Sequence, residues 1–163
     1  MIEIIKNKKA FTLLEVVIVT FIISLGLLGV FSLFLQTIKV QNVNKNVLIA
    51  SQLAQEGIEI VRNIRDENWD IIGNNFDDNL PDGRYAYDYL RNRESVDDVD
   101  DIDTNLKIDT DFYLIYGSES SPFNRMIEIT NNIGYLDIVC TVQWDERGDK
   151  KQYVTQAFLY DWR

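Results

Sequence analysis

The 163-residue chain is 46% hydrophobic and 12% aromatic, which suffices for one folded domain with a core and lies outside the composition of disordered proteins. Its net charge of −10, with no basic stripe to neutralise phosphates, argues against nucleic acid as a partner. With no histidine and a single cysteine, Cys140, it lacks the commonest general base, an internal disulfide and any Cys/His zinc cluster.

The first ten residues hold Glu3, Lys6, Lys8 and Lys9; without them 13 basic residues face 25 acidic ones, a net charge of −12. The acidity therefore belongs to the remainder of the chain. After a lone carboxylate, Glu15, comes the run VVIVTFIISLGLLGVFSLFL over residues 16–35, and no charge appears before Gln36. About 20 apolar residues at 1.5 Å each cross a bilayer core of roughly 30 Å. Thr20, Ser24 and Ser32 are tolerable hydroxyls in such a span. A secretory signal has a shorter apolar region and a small-x-small cleavage site after it, whereas QTIKVQNVNKN comes next here. A buried globular helix fits five unrelieved apolar turns less well. The run reads as a retained transmembrane segment, and Lys6, Lys8 and Lys9 before it place the N-terminus in the cytoplasm.

The helical period continues past the span. Val40, Val43, Val47, Ala50, Ala54, Gly57, Val61 and Ile64 recur at spacings of three and four, with Ile49, Leu53 and Ile60 widening the stripe. The pattern predicts one helix over about residues 11–66, roughly 84 Å long at 1.5 Å per residue. Gly26, Gly29 and Gly57 are its weak points, sites of local melting or of close helix–helix approach.

Residues 68–84 (NWDIIGNNFDDNLPDGR) carry turn signals and read as a loop. Alternation then takes over. Leu136, Ile138, Cys140, Val142 and Trp144 share one strand face; Val154, Gln156, Phe158, Tyr160 and Trp162 alternate against Tyr153, Thr155, Ala157, Leu159 and Asp161 in the next. DERGDK between them reads as a hairpin turn. Shorter strand candidates are Tyr85–Leu90, Phe112–Tyr116 and Arg125–Thr130. The expected fold is α+β: a long N-terminal helix, transmembrane in its first half and amphipathic in its second, packed on a C-terminal antiparallel sheet of four or five strands. The organisation is a leader over 1–10, the membrane half over 11–36, the amphipathic half over 37–66 and an extracytoplasmic sheet domain over 67–163.

The acidic run DDVDDIDTNLKIDTD (97–111) contains calcium candidates in Asp97, Asp98, Asp100, Asp101 and Asp103. It lacks the turn glycine and closing glutamate of an EF-hand, so a solvated loop is the favoured reading and no cofactor is expected. Cys140 sits on an apolar strand face and reads as packing. Trp144, Tyr160 and Trp162 read as core-edge aromatics ahead of a binding surface. No nucleophile has a recognisable base near it, which argues against an enzyme.

The stretch KKAFTLLEVVI, basic residues and then Phe-Thr-Leu-Leu-Glu opening a long apolar helix, resembles the N-terminus of bacterial type IV prepilins, and the helix-on-sheet plan is also theirs. The VCxVxW…LYDW pattern looks closer to minor pilins than to major ones. The resemblance implies that a prepilin peptidase cuts between Ala10 and Phe11 and methylates the Phe11 amine, although the family prefers glycine where Ala10 stands. It implies further that Glu15 pairs with the Phe11 amine of a neighbouring subunit, a register key for helices packed in a filament core. The other reading of Glu15 is an interfacial carboxylate reaching the headgroups. Implied partners are the peptidase, other pilin subunits, the pilus assembly machinery and the membrane. The implied location is the inner membrane, single-pass, and then a surface filament. Two alternatives stand beside this: a pseudopilin of a type II secretion or competence apparatus, forming a periplasmic filament, and a membrane-anchored extracytoplasmic enzyme or sensor.

Overall fold

Helix α1 spans Leu13–Asp70, the expected element extended by about one turn. In this computed structural model the described residues are 12–88, 90–109, 112–114, 119–146 and 148–162. The leader, the Ala10–Phe11 junction, Tyr89 and the end of the Phe112–Tyr116 candidate lie outside them. The chain divides into two units, Met1–Val43 and Asn44–Arg163.

In the first unit the described part is helix alone, and its side chains from Leu13 to Val40 are exposed. Two hydroxyls of the span are satisfied within the helix: Thr20 Oγ1 donates to the Val16 carbonyl at 2.9 Å and Ser24 Oγ to that of Thr20 at 2.7 Å. Back-bonding of this kind lets a hydroxyl sit in an apolar span without an unmet hydrogen bond.

The second unit holds the rest of α1 and a seven-stranded antiparallel sheet: β1 (Gly83–Tyr87), β2 (Arg93–Ser95), β3 (Asn105–Asp109), β4 (Phe112–Leu114), β5 (Glu119–Asn132), β6 (Tyr135–Glu146) and β7 (Asp149–Tyr160). β5 is the hub. One edge pairs along β6, which pairs with β7; the other is shared by β1, continued by β2, and by β3, continued by β4. Pro122 lies beside a shift in the β3–β5 register between Asn105 and Lys107, a place where a missing N–H does no harm.

Ala50, Leu53, Ala54, Gly57, Ile58 and Val61 of α1 are buried, and pack on Ile127, Ile138, Cys140 and Val142 of the sheet. Close approach, not melting, is what Gly57 serves. A Cβ there would stand 2.8 Å from Cys140 Sγ and 3.1 Å from Ile127 Cδ1. At the centre of the contact lies Arg125, fully buried, donating to the carbonyls of Leu53 at 3.0 Å and Tyr87 at 2.6 Å and paired with Glu56 at 3.2 Å.

Three expectations change. The sheet has seven strands rather than four or five: β4 falls on the Phe112–Tyr116 candidate, and β2 and β3, short and flanked by acid, are added. The Tyr85–Leu90 candidate ends at Tyr87, where buried Asp88 accepts the Asn92 N–H at 3.0 Å and turns the chain. The acidic run is not a free loop. A 3-10 turn at Ile102–Thr104 and then β3 occupy it, with Val99, Thr104 and Leu106 buried. Thr104 Oγ1 holds the turn by donating to Val99 O at 2.7 Å, and Val96 and Val99 cover Ala86 and Met126 in a second small core.

Candidate processing and assembly segment

Thr12 precedes the first helical residue, and its Oγ1 accepts the Glu15 N–H at 3.3 Å while its carbonyl accepts that of Val16 at 3.2 Å. This is an N-cap. Thr-Leu-Leu-Glu has the spacing of a capping box, in which the third helical residue is acidic. The pairing of Thr12 with Glu15 was a signal in the sequence that a reading of charge alone passed over. Glu15 is exposed in the first turn, where the positive end of the helix favours an anion. Around it are exposed Leu13, Leu14, Val16 and Val17, so the carboxylate is set in an apolar surface.

Residues 5–31 match the family described as the prokaryotic N-terminal methylation motif. The N-terminus carries the prepilin signature. No curated protein and no solved structure matches the chain. The signature marks precursors processed by prepilin peptidase, type IV pilin-like or pseudopilin, and a family that is structural rather than catalytic. Among the described residues there is one helix long and apolar enough to cross a membrane, and none of that window is buried. Signature and helix together are consistent with membrane anchoring.

The other candidates lie in the second unit. Asp100 accepts from Lys150 Nζ at 2.6 Å and from Gln143 Nε2; these bonds hold its carboxyl below the usual range and raise Lys150 in turn. Asp98 Oδ1 accepts the Val99 N–H at 2.6 Å, and Asp101 Oδ2 faces the Asp97 N–H at 3.4 Å. Asp103 is exposed. The carboxylates of Asp98, Asp100 and Asp101 are engaged in turns and one ion pair, and among the described residues no group of three or more acids, cysteines or histidines is placed to hold a metal. Trp144 is buried, whereas Tyr160 and Trp162 are 57% and 68% exposed, so the three aromatics do not form one surface.

A cleft of about 350 Å³ opens beside Ile64, Glu67, Tyr87, Arg91 and Arg93. Its charged groups are engaged in structure, while the buried Tyr87 hydroxyl has no hydrogen-bond partner. Arg91 Nη2 donates to Glu67 at 2.8 Å, which holds that carboxyl low, and Arg93 Nη1 donates to the Asn79 carbonyl at 3.0 Å. The cleft ties the end of α1 to the β1–β2 turn.

Proposed function

We propose that this chain is a subunit of a type IV pilus filament, cut between Ala10 and Phe11, methylated on the Phe11 amine and assembled from the inner membrane through α1. The observation that carries this reading is the methylation motif over residues 5–31, heading a helix whose apolar side chains from Leu13 to Val40 are exposed. Methylation keeps the Phe11 amine cationic. Glu15 stands four residues on, and an unpaired carboxylate among packed apolar helices costs several kcal/mol. A neighbour's amine offsets that cost in one axial register only, so Glu15 acts in alignment.

Intact-mass and N-terminal analysis of the membrane-extracted protein tests the processing step: a chain beginning with monomethylated phenylalanine at position 11 supports it, and a retained Met1 sinks it. For the register role, Glu15→Ala is expected to insert in the membrane yet be missing from filaments; its normal incorporation would refute the pairing. Pseudopilins share the motif, and presence of the chain in purified surface fibres separates pilus from secretion apparatus.

A further inference from the structure

We propose that the cleft between the end of α1 and the β1–β2 turn binds a free monocarboxylate with a short apolar body, held through its oxygens by Arg93 and the Tyr87 hydroxyl. Its volume of about 350 Å³ lies at the small end of the range for ligand pockets. Tyr87 lines it yet is only 2% exposed, and its hydroxyl is buried without a partner. A buried donor left unmet costs free energy, and the large majority of such groups in folded proteins are satisfied. Among the described residues nothing accepts from this one.

Strand register brings a cation to it. Tyr87 lies opposite Arg93 in the β1–β2 ladder, so the two side chains stand on one face of the sheet. Burial pushes the Tyr87 hydroxyl up, with the Arg93 cation pulling the other way, and the group keeps its proton at neutral pH. Arg93 donates to the Asn79 carbonyl at 3.0 Å and lies 5.1 Å from the centre of the Tyr85 ring. A guanidinium has five N–H donors, so others remain. No ion pair engages Arg93 among the described residues. Arg91 and Glu67, by contrast, hold each other through two hydrogen bonds and cancel.

The cleft thus has one positive charge in excess, beside one O–H without an acceptor. A carboxylate answers both, since its oxygens accept from a guanidinium and a hydroxyl together. A phosphate dianion would bring a second charge toward Glu67 with no cation to meet it. Ile64 and Ile71 supply an apolar wall for the body of the ligand. The rim is also strained. Among the described residues two that are not glycine have a left-handed backbone, Asn79 at φ 63° and Arg91 at φ 65°, and both line this cleft. Conformations of this kind gather at ligand clamps.

Titration of the 15N-labelled full chain in detergent with phenylacetate, read at the Arg91 and Arg93 side-chain N–H resonances, tests this. Saturation is expected, with phenylacetamide and inorganic phosphate each roughly tenfold weaker or more, the factor that a hydrogen bond to a charged group supplies. Tyr87→Phe is the sharper probe. It deletes an unpartnered donor, so the urea midpoint should hold or rise, while affinity for phenylacetate should fall roughly tenfold. No saturation, equal affinity for the amide or for phosphate, or full affinity in the Tyr87→Phe chain would each overturn the assignment. So would a lowered midpoint in that variant, which would give the hydroxyl a partner inside the fold. None of these readouts requires cleavage at Ala10 or a filament, so the result stands apart from the reading of the N-terminus.

Discussion

Replacing Gly57 by alanine sets two effects of known sign against each other. Alanine favours a helix interior by about 1 kcal/mol over glycine, so an exposed site would gain stability. Here the new methyl would meet Cys140 Sγ at 2.8 Å, Ile127 Cδ1 at 3.1 Å and Arg125 Cδ at 3.3 Å. Cys140 has one rotatable bond and is fully buried, so it cannot swing aside, and α1 must lift off the sheet. Overpacking of this kind costs about 1–3 kcal/mol. The net expectation is a loss of about 1 kcal/mol, with the clash the larger of the two effects. Cys140→Ala removes the closest atom and should cost about 1 kcal/mol alone but little or nothing in the Gly57→Ala background. The assay is urea unfolding of the detergent-solubilised chain, monitored through the fluorescence of buried Trp144. A Gly57→Ala protein stabilised by the full helix gain, with the two substitutions additive, would refute the close-approach account.

The buried groups carry further consequences. Arg125 is fully buried while the Glu56 side chain is 37% exposed, so Glu56→Ala strands a cation and should cost about 3 kcal/mol, more than Arg125→Met, which frees a carboxylate that water can reach. Urea midpoints in the reverse order would contradict this. Burial pushes the Cys140 thiol up to about 12. It should resist iodoacetamide at pH 8 until the chain unfolds, and fast labelling of the folded chain would count against the packing. Because that value is raised on folding, the stability it represents is intact below the ordinary thiol range, near 8.5, and is lost as pH climbs toward 12. In the exposed Asp100–Lys150 pair, the depressed carboxyl contributes above the ordinary aspartate range and loses that contribution on acidification. Lys150→Met should move the Asp100 midpoint, tracked by NMR, up toward that range; an unmoved midpoint would mean the ion pair is not what depresses it.

The parts of the fold that were legible in the sequence are those where one period runs long enough to exclude the others. Ala50, Ala54, Gly57 and Val61 stand on one helical stripe, and Leu136, Ile138, Cys140, Val142 and Trp144 on one strand face; all are buried where the alternation put them. The DERGDK turn closes at Glu146↔Asp149, with Gly148 at φ 87°. The turn before it, Ile133–Gly134, was missed, although Gly134 at φ 84° is the same kind of signal. Three-residue strands such as β2 carry no period at all. β3 was hidden by composition: acidic neighbours suggested solvent, yet buried Leu106 and the Asn105 bonds to Asn124 and Ser121 draw it onto β5. For β7 the pattern showed two faces without saying which is inward. Leu159 and Ala157 go in because Leu136 and Ile138 lie opposite them, a long-range fact.

The N-terminal segment was legible for a different reason, since its meaning lies in chemistry rather than packing. Thr12 and Glu15 satisfy the opening of a helix, and a soluble helix uses the same box. What a soluble helix does not do is surround that carboxylate with exposed leucine and valine on the same turn. A cap needs only the Thr12 oxygen on the Glu15 N–H; it asks nothing of the glutamate's charge once the N–H is met. The two roles can therefore be separated in one variant. Glu15→Gln keeps a capping-box residue and the helix start while deleting the anion, so a purely structural Glu15 predicts normal filament entry. A charge-pairing Glu15 predicts exclusion with the helix intact by circular dichroism, and entry of the glutamine variant at the parent level would leave the cap as its whole purpose.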